Sequence, residues 1–381
     1  MNLPLKGLLV LEFSQYLSGP SAGLRLADMG ARVIKVERPG SGEAGRRLAI
    51  KNLWHGDDSL LFHTINRNKE SITADMKDPE DMALLHRLIG RSDVLIHNFR
   101  PDVMGRHGLD YPSVARLNPG IVYAEISGYG RKGPWKDKPG QDLLLQSMSG
   151  LTFTTGERTG PPVPFGISIG DILSGAQLTQ GILSLLIRRQ RTGRGGQVEV
   201  SILESLLDFQ FELLTTYFQT KRQPQRSALA NGQPLLSAPY GIYRTQDGYL
   251  ALAMMDIHVL ADTIGCAALK VFDPQQAFVQ RDDIKRVLAA FLAGASNEYW
   301  LERLRTAGLW AMPVLDWNQM TTLEAYRSLE MEQHLMTERG EIVTTRCPIR
   351  FDGQRIFSSR PAPRLGEQDA QIRVEAAHGI A

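Results

Sequence analysis

The chain has 381 residues, of which 43% are hydrophobic and 22% charged, with a formal net charge of +2. That length exceeds what one hydrophobic core fills, so two domains are expected, and the composition is globular rather than disordered. The near-neutral charge excludes the basic face of a nucleic-acid-binding protein, and two isolated cysteines, Cys266 and Cys347, exclude a disulfide framework or a cysteine metal site. The opening Met1-Asn2-Leu3-Pro4-Leu5-Lys6-Gly7 lacks the apolar core of a signal peptide. The apolar stretch Ile182 to Ile187 is too short to span a bilayer. The expectation is a cytoplasmic protein with no membrane or nucleic-acid partner.

The first third alternates short β-branched runs with helical patterns, the signature of an α/β layer with a mainly parallel sheet. Residues 7–13 read as a buried strand, and Ser18-Gly19-Pro20 starts a helix that Gly30 ends. Strands are expected at Arg32 to Glu37, Ser71 to Met76, Asp93 to Asn98 and Ile121 to Ile126, with a helix from Pro79 to Ile89. Asp171 opens an amphipathic helix with Ile172, Ala176, Ile182, Leu183 and Leu186 on its apolar face. Arg188, Arg189 and Arg191 fall in its last turn, and Gly193 closes it. Gln197 to Ile202 reads as a strand, followed by a helix to about Gln219. Gln223 to Ala238 is a loop by composition, and Tyr240 to Met254 a hairpin turning at Gln246-Asp247-Gly248. Helices follow at Asp282 to Ala293 and Asn297 to Ala307. The expected division is a large domain over 1–222, a smaller α+β domain over 223–320 and a linker with a returning C-terminal segment over 321–381.

Several chemistries find no support. The first strand-helix-strand unit has Glu37 where a dinucleotide fold places its acidic residue, but its turn offers only Gly19 and Gly23 in place of G-x-G-x-x-G. Arg38 next to it suits a ribose-linked phosphate. The eight histidines form no metal-binding pair, and there is no G-x-S-x-G nucleophile elbow. Covalent catalysis, if present, falls to a carboxylate. By itself, an aspartate at a helix start such as Asp171 reads as an N-cap.

Ordered blocks along the chain resemble the class III CoA-transferases, the family of formyl-CoA transferase, carnitine CoA-transferase and α-methylacyl-CoA racemase. They are Leu11-Glu12-Phe13 with Ser18-Gly19-Pro20, Gly30 to Gly40, Asn68-Lys69-Glu70-Ser71-Ile72 and Asn98-Phe99-Arg100-Pro101. Ser127-Gly128-Tyr129-Gly130, Gln146 to Gly150, Gly170-Asp171 and Thr192 to Gln197 continue the series. The resemblance implies a Rossmann-like large domain with a small domain, assembled as an interlocked homodimer. It implies coenzyme A or acyl-CoA as a substrate, with no permanently bound cofactor and no metal, and a free carboxylic acid as the other substrate.

By the same resemblance Asp171 is the nucleophile, forming a mixed anhydride and then an aspartyl-CoA thioester. Its place at a helix start would keep it ionised and would offer backbone N–H groups to a developing oxyanion. Arg38, Asn98, Phe99, Arg106 and Lys138, with Lys69 and Lys77, are the residues expected along the CoA path, since cations suit its phosphates and an aromatic face its adenine. Asn231 and Gly232 mark a lid loop over 228–236. The racemase branch has a histidine where this chain has Gln141, in Pro139-Gly140-Gln141-Asp142, and glutamine exchanges no proton at an α-carbon. Transfer of CoA to a small dicarboxylic acid is therefore favoured over 2-methylacyl-CoA racemisation, and both over a non-catalytic CoA-binding protein.

Overall fold

The chain begins its sheet with Leu9–Glu12, four residues all buried, and repeats such runs at Val94–His97 and Val122–Ser127. Runs without polar alternation belong to strands covered on both faces, as in a parallel sheet between helices. In the computed structural model, which describes residues 2–378, six strands pair in parallel. They are β1 (Leu9–Glu12), β2 (Arg32–Glu37), β3 (Glu70–Thr73), β4 (Val94–His97), β5 (Val122–Ser127) and β6 (Gly196–Ser201), in the order β3-β2-β1-β4-β5-β6. This is the order of doubly wound sheets, which bind ligands beyond the strand C-termini where the winding reverses.

Helix α1 (Ser18–Asp28) follows β1, and α2 (Pro79–Ile89) is started by Asp78, whose side chain accepts from the amides of Glu80 and Asp81. Helix α3 (Asp142–Ser149) precedes α4 (Ile169–Thr192), which ends at Gly193 with φ +69°. The expected strand from Ser71 to Met76 is shorter and starts at Glu70. The single helix expected after β6 is broken at Gln210 into Ile202–Phe209 and Phe211–Thr220.

The described chain separates into two compact units. One takes the chain up to Leu145, Ser168–Leu206 and everything from Leu329 onward; the other takes Gln146–Ile167 and Leu207–Ser328. The expected boundaries at 222 and 320 are thereby corrected: 146–167 leaves the first unit, 207–222 goes with the second, and the second runs on to 328. Buried Arg226 supplies the physical reason. Its guanidinium donates to the carbonyls of Thr155, Gly160 and Pro161, which ties the 146–167 excursion to the second unit.

Within that second unit, β7 (Gly241–Arg244), β8 (Tyr249–Leu252) and β9 (Ala311–Pro313) form an antiparallel sheet over a core of Tyr243, Leu250, Leu260, Leu288, Trp300 and Leu304. Within the first, the C-terminal helix Asp369–His378 returns to the edge of the parallel sheet. The Asp369 carboxylate accepts from the amide and hydroxyl of Thr73, and Ile372 and Ala376 enter the core beside Leu84 and Leu88. Among the described residues no helix is long and apolar enough to cross a membrane.

Candidate active site

The turn from β1 into α1 is built on buried charge. Glu12, the last residue of β1, accepts from Lys35 at 2.9 Å and from Lys69 at 2.8 Å, and none of the three side chains reaches solvent. Each lysine also donates to a carbonyl of the turn, Lys35 to Ser14 and Lys69 to Pro20. Gly23 in α1 leaves the space that the Glu12 carboxylate fills. Burial alone would raise the Glu12 carboxyl, but the two ammonium groups overcome it and hold Glu12 below the usual carboxylate range. Glu43 accepts from the amide of Tyr16, which sits in the left-handed region at φ 61°. From the far side Asn98 closes the turn, accepting from the Gln15 amide at 2.8 Å and donating to the Gln15 carbonyl at 2.7 Å.

Asp171 is the third residue of α4 and not its cap. The Ser168 side chain makes no capping bond; the cap comes from Asp142 at the start of α3. The Asp142 Oδ1 atom accepts from the amides of Gly170 at 2.7 Å and Asp171 at 3.2 Å. Gly170 makes this possible, since a Cβ there would lie 2.9 Å from that oxygen and 2.8 Å from Ile202. The Asp171 carboxylate is mostly buried, lies beside Ser18, and shares in none of the ion pairs of the described residues. Burial first, and then the charge of Asp142, push its carboxyl up to about 7.

Two expectations about this residue are corrected. The helix dipole does not keep Asp171 firmly ionised, because desolvation and a neighbouring carboxylate outweigh it. The amides of Gly170 and Asp171 are not free for an oxyanion either, because Asp142 already occupies them.

Beyond the C-terminal ends of β1, β2, β3 and β4 lies a cleft of about 860 Å³. Arg38, Arg47 and Lys77 stand at its wall with exposed side chains; Phe99, Met76 and Val103 give it apolar surface, and His107 and Gln15 polar groups. Cations around an aromatic face suit a nucleotide with phosphates. The β1–α1 turn joins this cleft to Asp171, with Phe13 and Gln15 at the cleft and Ser18 at the carboxylate.

Of the residues predicted along the CoA path, Arg38, Lys77 and Phe99 meet at the cleft. Lys69 does not: its three protons go to Glu12, Asn66 and Pro20, so no donor is left for a phosphate. Asn98 lies beneath the turn and spends its amide there. Arg106 and Lys138 are outside the cleft lining, Arg106 donating to the Asp102 carbonyl and Lys138 lying 5.9 Å from the Trp135 ring. Gln141 is exposed, one residue before the capping Asp142.

The expected lid at 228–236 is fastened within its own unit. Asn231 accepts from Ser227 and donates to the Thr154 carbonyl, Gly232 is covered by the Tyr240 ring, and Lys285 holds the Ala230 carbonyl. The residues missed by sequence reading are Ser18, Arg47, Glu43 and the capping role of Asp142. Only Asp142 carried a signal, as an acidic residue opening an apolar helical run.

The CoA-transferase family III model matches residues 5–369. The chain is 34% identical to the acetyl-CoA:oxalate CoA-transferase of Acetobacter aceti, over 98% of this chain and 96% of that one. It is 33% identical to the succinate–glutarate CoA-transferase of Agrobacterium fabrum, over 98% and 95%. Among solved structures, a CAIB/BAIF family protein from Brucella suis superposes with a TM-score of 0.84 at 28% identity, covering 99% of this chain and all of that one. With the parallel sheet, the cleft at its switch point and these matches, the chain belongs to family III of the CoA-transferases.

Proposed function

We propose that this CoA-transferase moves CoA from an acyl-CoA to a small dicarboxylic acid through covalent intermediates on Asp171. The observation that carries the reading is Asp171 itself, a carboxylate with no cationic partner among the described residues, mostly desolvated, and able to ionise near neutral pH. One Asp171 oxygen attacks the thioester carbon and CoA thiolate leaves, giving a mixed anhydride. The thiolate then attacks the Asp171 carbonyl, releasing the donor acid and leaving an aspartyl-CoA thioester. The acceptor carboxylate attacks that thioester and expels thiolate, and the thiolate takes the acceptor's acyl carbon, restoring Asp171. Donor, enzyme and acceptor are all carboxylates, so each exchange is close to thermoneutral. Arg38, Arg47 and Lys77 would hold the nucleotide end of CoA, against Phe99. Relatives named for oxalate, succinate and glutarate support a dicarboxylic acceptor. The same reading takes the enzyme to act as an interlocked homodimer in the cytoplasm; the exposed Phe211, Tyr217 and Phe218 support an interface.

The scheme returns one acceptor oxygen to Asp171. Turnover with an ¹⁸O-labelled acceptor acid should place ¹⁸O in the peptide containing Asp171, read by mass spectrometry. Turnover without label there rules the scheme out. A matrix of acyl-CoA donors and acids identifies the pair.

A second reading, 2-methylacyl-CoA racemisation, is favoured by the Asp171 carboxyl lying near 7, where an acid–base group works well. Gln141 speaks against it, since it supplies no second proton carrier. Incorporation of solvent deuterium at the α-carbon of a 2-methylacyl-CoA would favour racemisation.

A further inference from the structure

Between β5 and α3 the chain leaves the sheet and returns to its own starting point. Residues 131–139 are all exposed, yet the two ends of the excursion meet, Gly128 against Gly140. A Cβ on Gly140 would lie 2.9 Å from the Gly128 Cα, and a Cβ on Gly128 would lie 2.9 Å from the Gly140 Cα. Neither glycine has a φ in the left-handed region, so the close approach alone asks for glycine here. The Tyr129 hydroxyl ties the same neck a second time, donating to the Pro139 carbonyl at 3.0 Å.

The two sides of the neck are not equally free. Gly128 directly follows Ser127, the last residue of β5, and its carbonyl accepts from the Leu203 amide at 3.1 Å. Gly140 is followed by Gln141, whose carbonyl accepts from the amides of Leu144 and Leu145 and so begins α3. The sheet thus fixes Gly128, and Gly140 carries the start of α3 with it. Asp142, the next residue, is buried where that start lands, with its Oδ1 atom on the amides of Gly170 and Asp171.

We infer that Gly128 and Gly140 are positioning residues: their backbone contact seats Asp142 on the first turn of α4, and so sets the place of the Asp171 carboxylate. The inference rests on Asp171 being the nucleophile. At 2.7 Å the Asp142 oxygen cannot come closer to the Gly170 amide, so a side chain wedged into the neck can only draw it away. Of the elements packed on α4, α3 brings Asp142 and α1 brings Ser18 to Asp171. Glu12 and Lys69, behind Gly23 of α1, are paired with each other. On β5 and β6, Glu125 and Glu199 are both paired with Arg131. Asp142 is thus the charge whose distance from Asp171 the neck controls.

Gly140→Ala and Gly128→Ala, each compared with Asp142→Asn, test this in the full-length enzyme. The first amides of a helix have no partner within it, so Asp142 is what shields those of Gly170 and Asp171 from exchange. Both alanine variants should speed hydrogen exchange at these two amides by about threefold to tenfold. With Asp142 drawn off, its charge weighs less on Asp171, and the acidic limb of kcat should move down by roughly one pH unit. KM for acyl-CoA, set at the cleft, should stay within about twofold. Adding Gly140→Ala to Asp142→Asn should leave the limb where Asp142→Asn alone puts it. Should an alanine variant fail to fold, Tyr129→Phe unties the neck without a clash and gives the same comparison at smaller amplitude. A lowered melting temperature, with the limb and both amides as in the wild type, overturns the inference. Labelling from an ¹⁸O acceptor separates the two failures. If the wild type carries label on Asp171 and the variants leave exchange and limb unmoved, the role of the neck falls alone. If the wild type carries no label, the nucleophile falls and the catalytic meaning of the neck with it.

Discussion

Asp142 caps the helix that carries Asp171 and, with the same carboxylate, opposes the ionisation of Asp171. The two effects are separable. Asparagine at 142 keeps an oxygen for the amides of Gly170 and Asp171 but removes the charge. Asp142→Asn should therefore lower the Asp171 carboxyl from about 7 and extend activity to more acidic pH, read as a downward shift of the acidic limb of kcat/KM. Asp142→Ala should in addition leave both amides unmet, costing about 1 kcal/mol of stability in denaturant titration.

Asp171→Asn should abolish transfer, and its stability effect should depend on pH. The folded-state carboxyl, at about 7, lies above its unfolded value of 3.8. Native Asp171 thus favours the protonated form, whose advantage is complete below pH 3.8 and lost as pH rises through 7. The variant carries no such charge, so at pH 8 it should be more stable than the wild type, by on the order of 3 kcal/mol. The two proteins should converge toward pH 4. Melting curves across pH 4 to 8 check this, and an equal difference at both ends would refute it.

Lys69 and Lys77 should behave oppositely. Lys69→Met leaves Glu12 with half its charge compensation in a site closed to water, and should destabilise by roughly 3–5 kcal/mol. Lys77→Ala removes an exposed cation at the cleft. It should raise KM for acyl-CoA several-fold while leaving the melting temperature unchanged. Calorimetry and initial rates on the pair discriminate the roles.

Gly170→Ala should act through Asp142. The new methyl would press on the Asp142 oxygen and on Ile202, at a cost of about 1–3 kcal/mol, and would displace the cap. Loss of kcat together with reduced stability is expected; full activity would show that the close approach is relieved at no functional cost.

The elements most legible in the sequence are those with local causes. Strand β2 and helix α2 are found at the expected residues because β-branched runs and an Asp-Pro start are written within a few positions. Arg38, Lys77 and Phe99 reach the cleft because each stands just past a strand C-terminus, where a doubly wound sheet gathers its ligand groups. Pairings across the chain were not legible. Lys69 looks like a surface cation until the fold sets it against Glu12, 57 residues away, and the amides of Gly170 and Asp171 look free until Asp142 arrives from 28 residues upstream. The excursion of 146–167 into the second unit follows from Arg226, whose partners are carbonyls, and carbonyls have no sequence signature.

The complete enclosure of Glu12, Lys35 and Lys69 bears on how the enzyme responds to its ionic surroundings. Dissolved ions cannot approach charges that water does not reach, so added salt leaves the ionic frame of the β1–α1 turn at full strength. The cations around the cleft, Arg38, Arg47 and Lys77, stand in water and are screened in full. Ionic strength is therefore a dial that weakens the grip on a phosphorylated substrate while the scaffold of the reacting carboxylate keeps its shape.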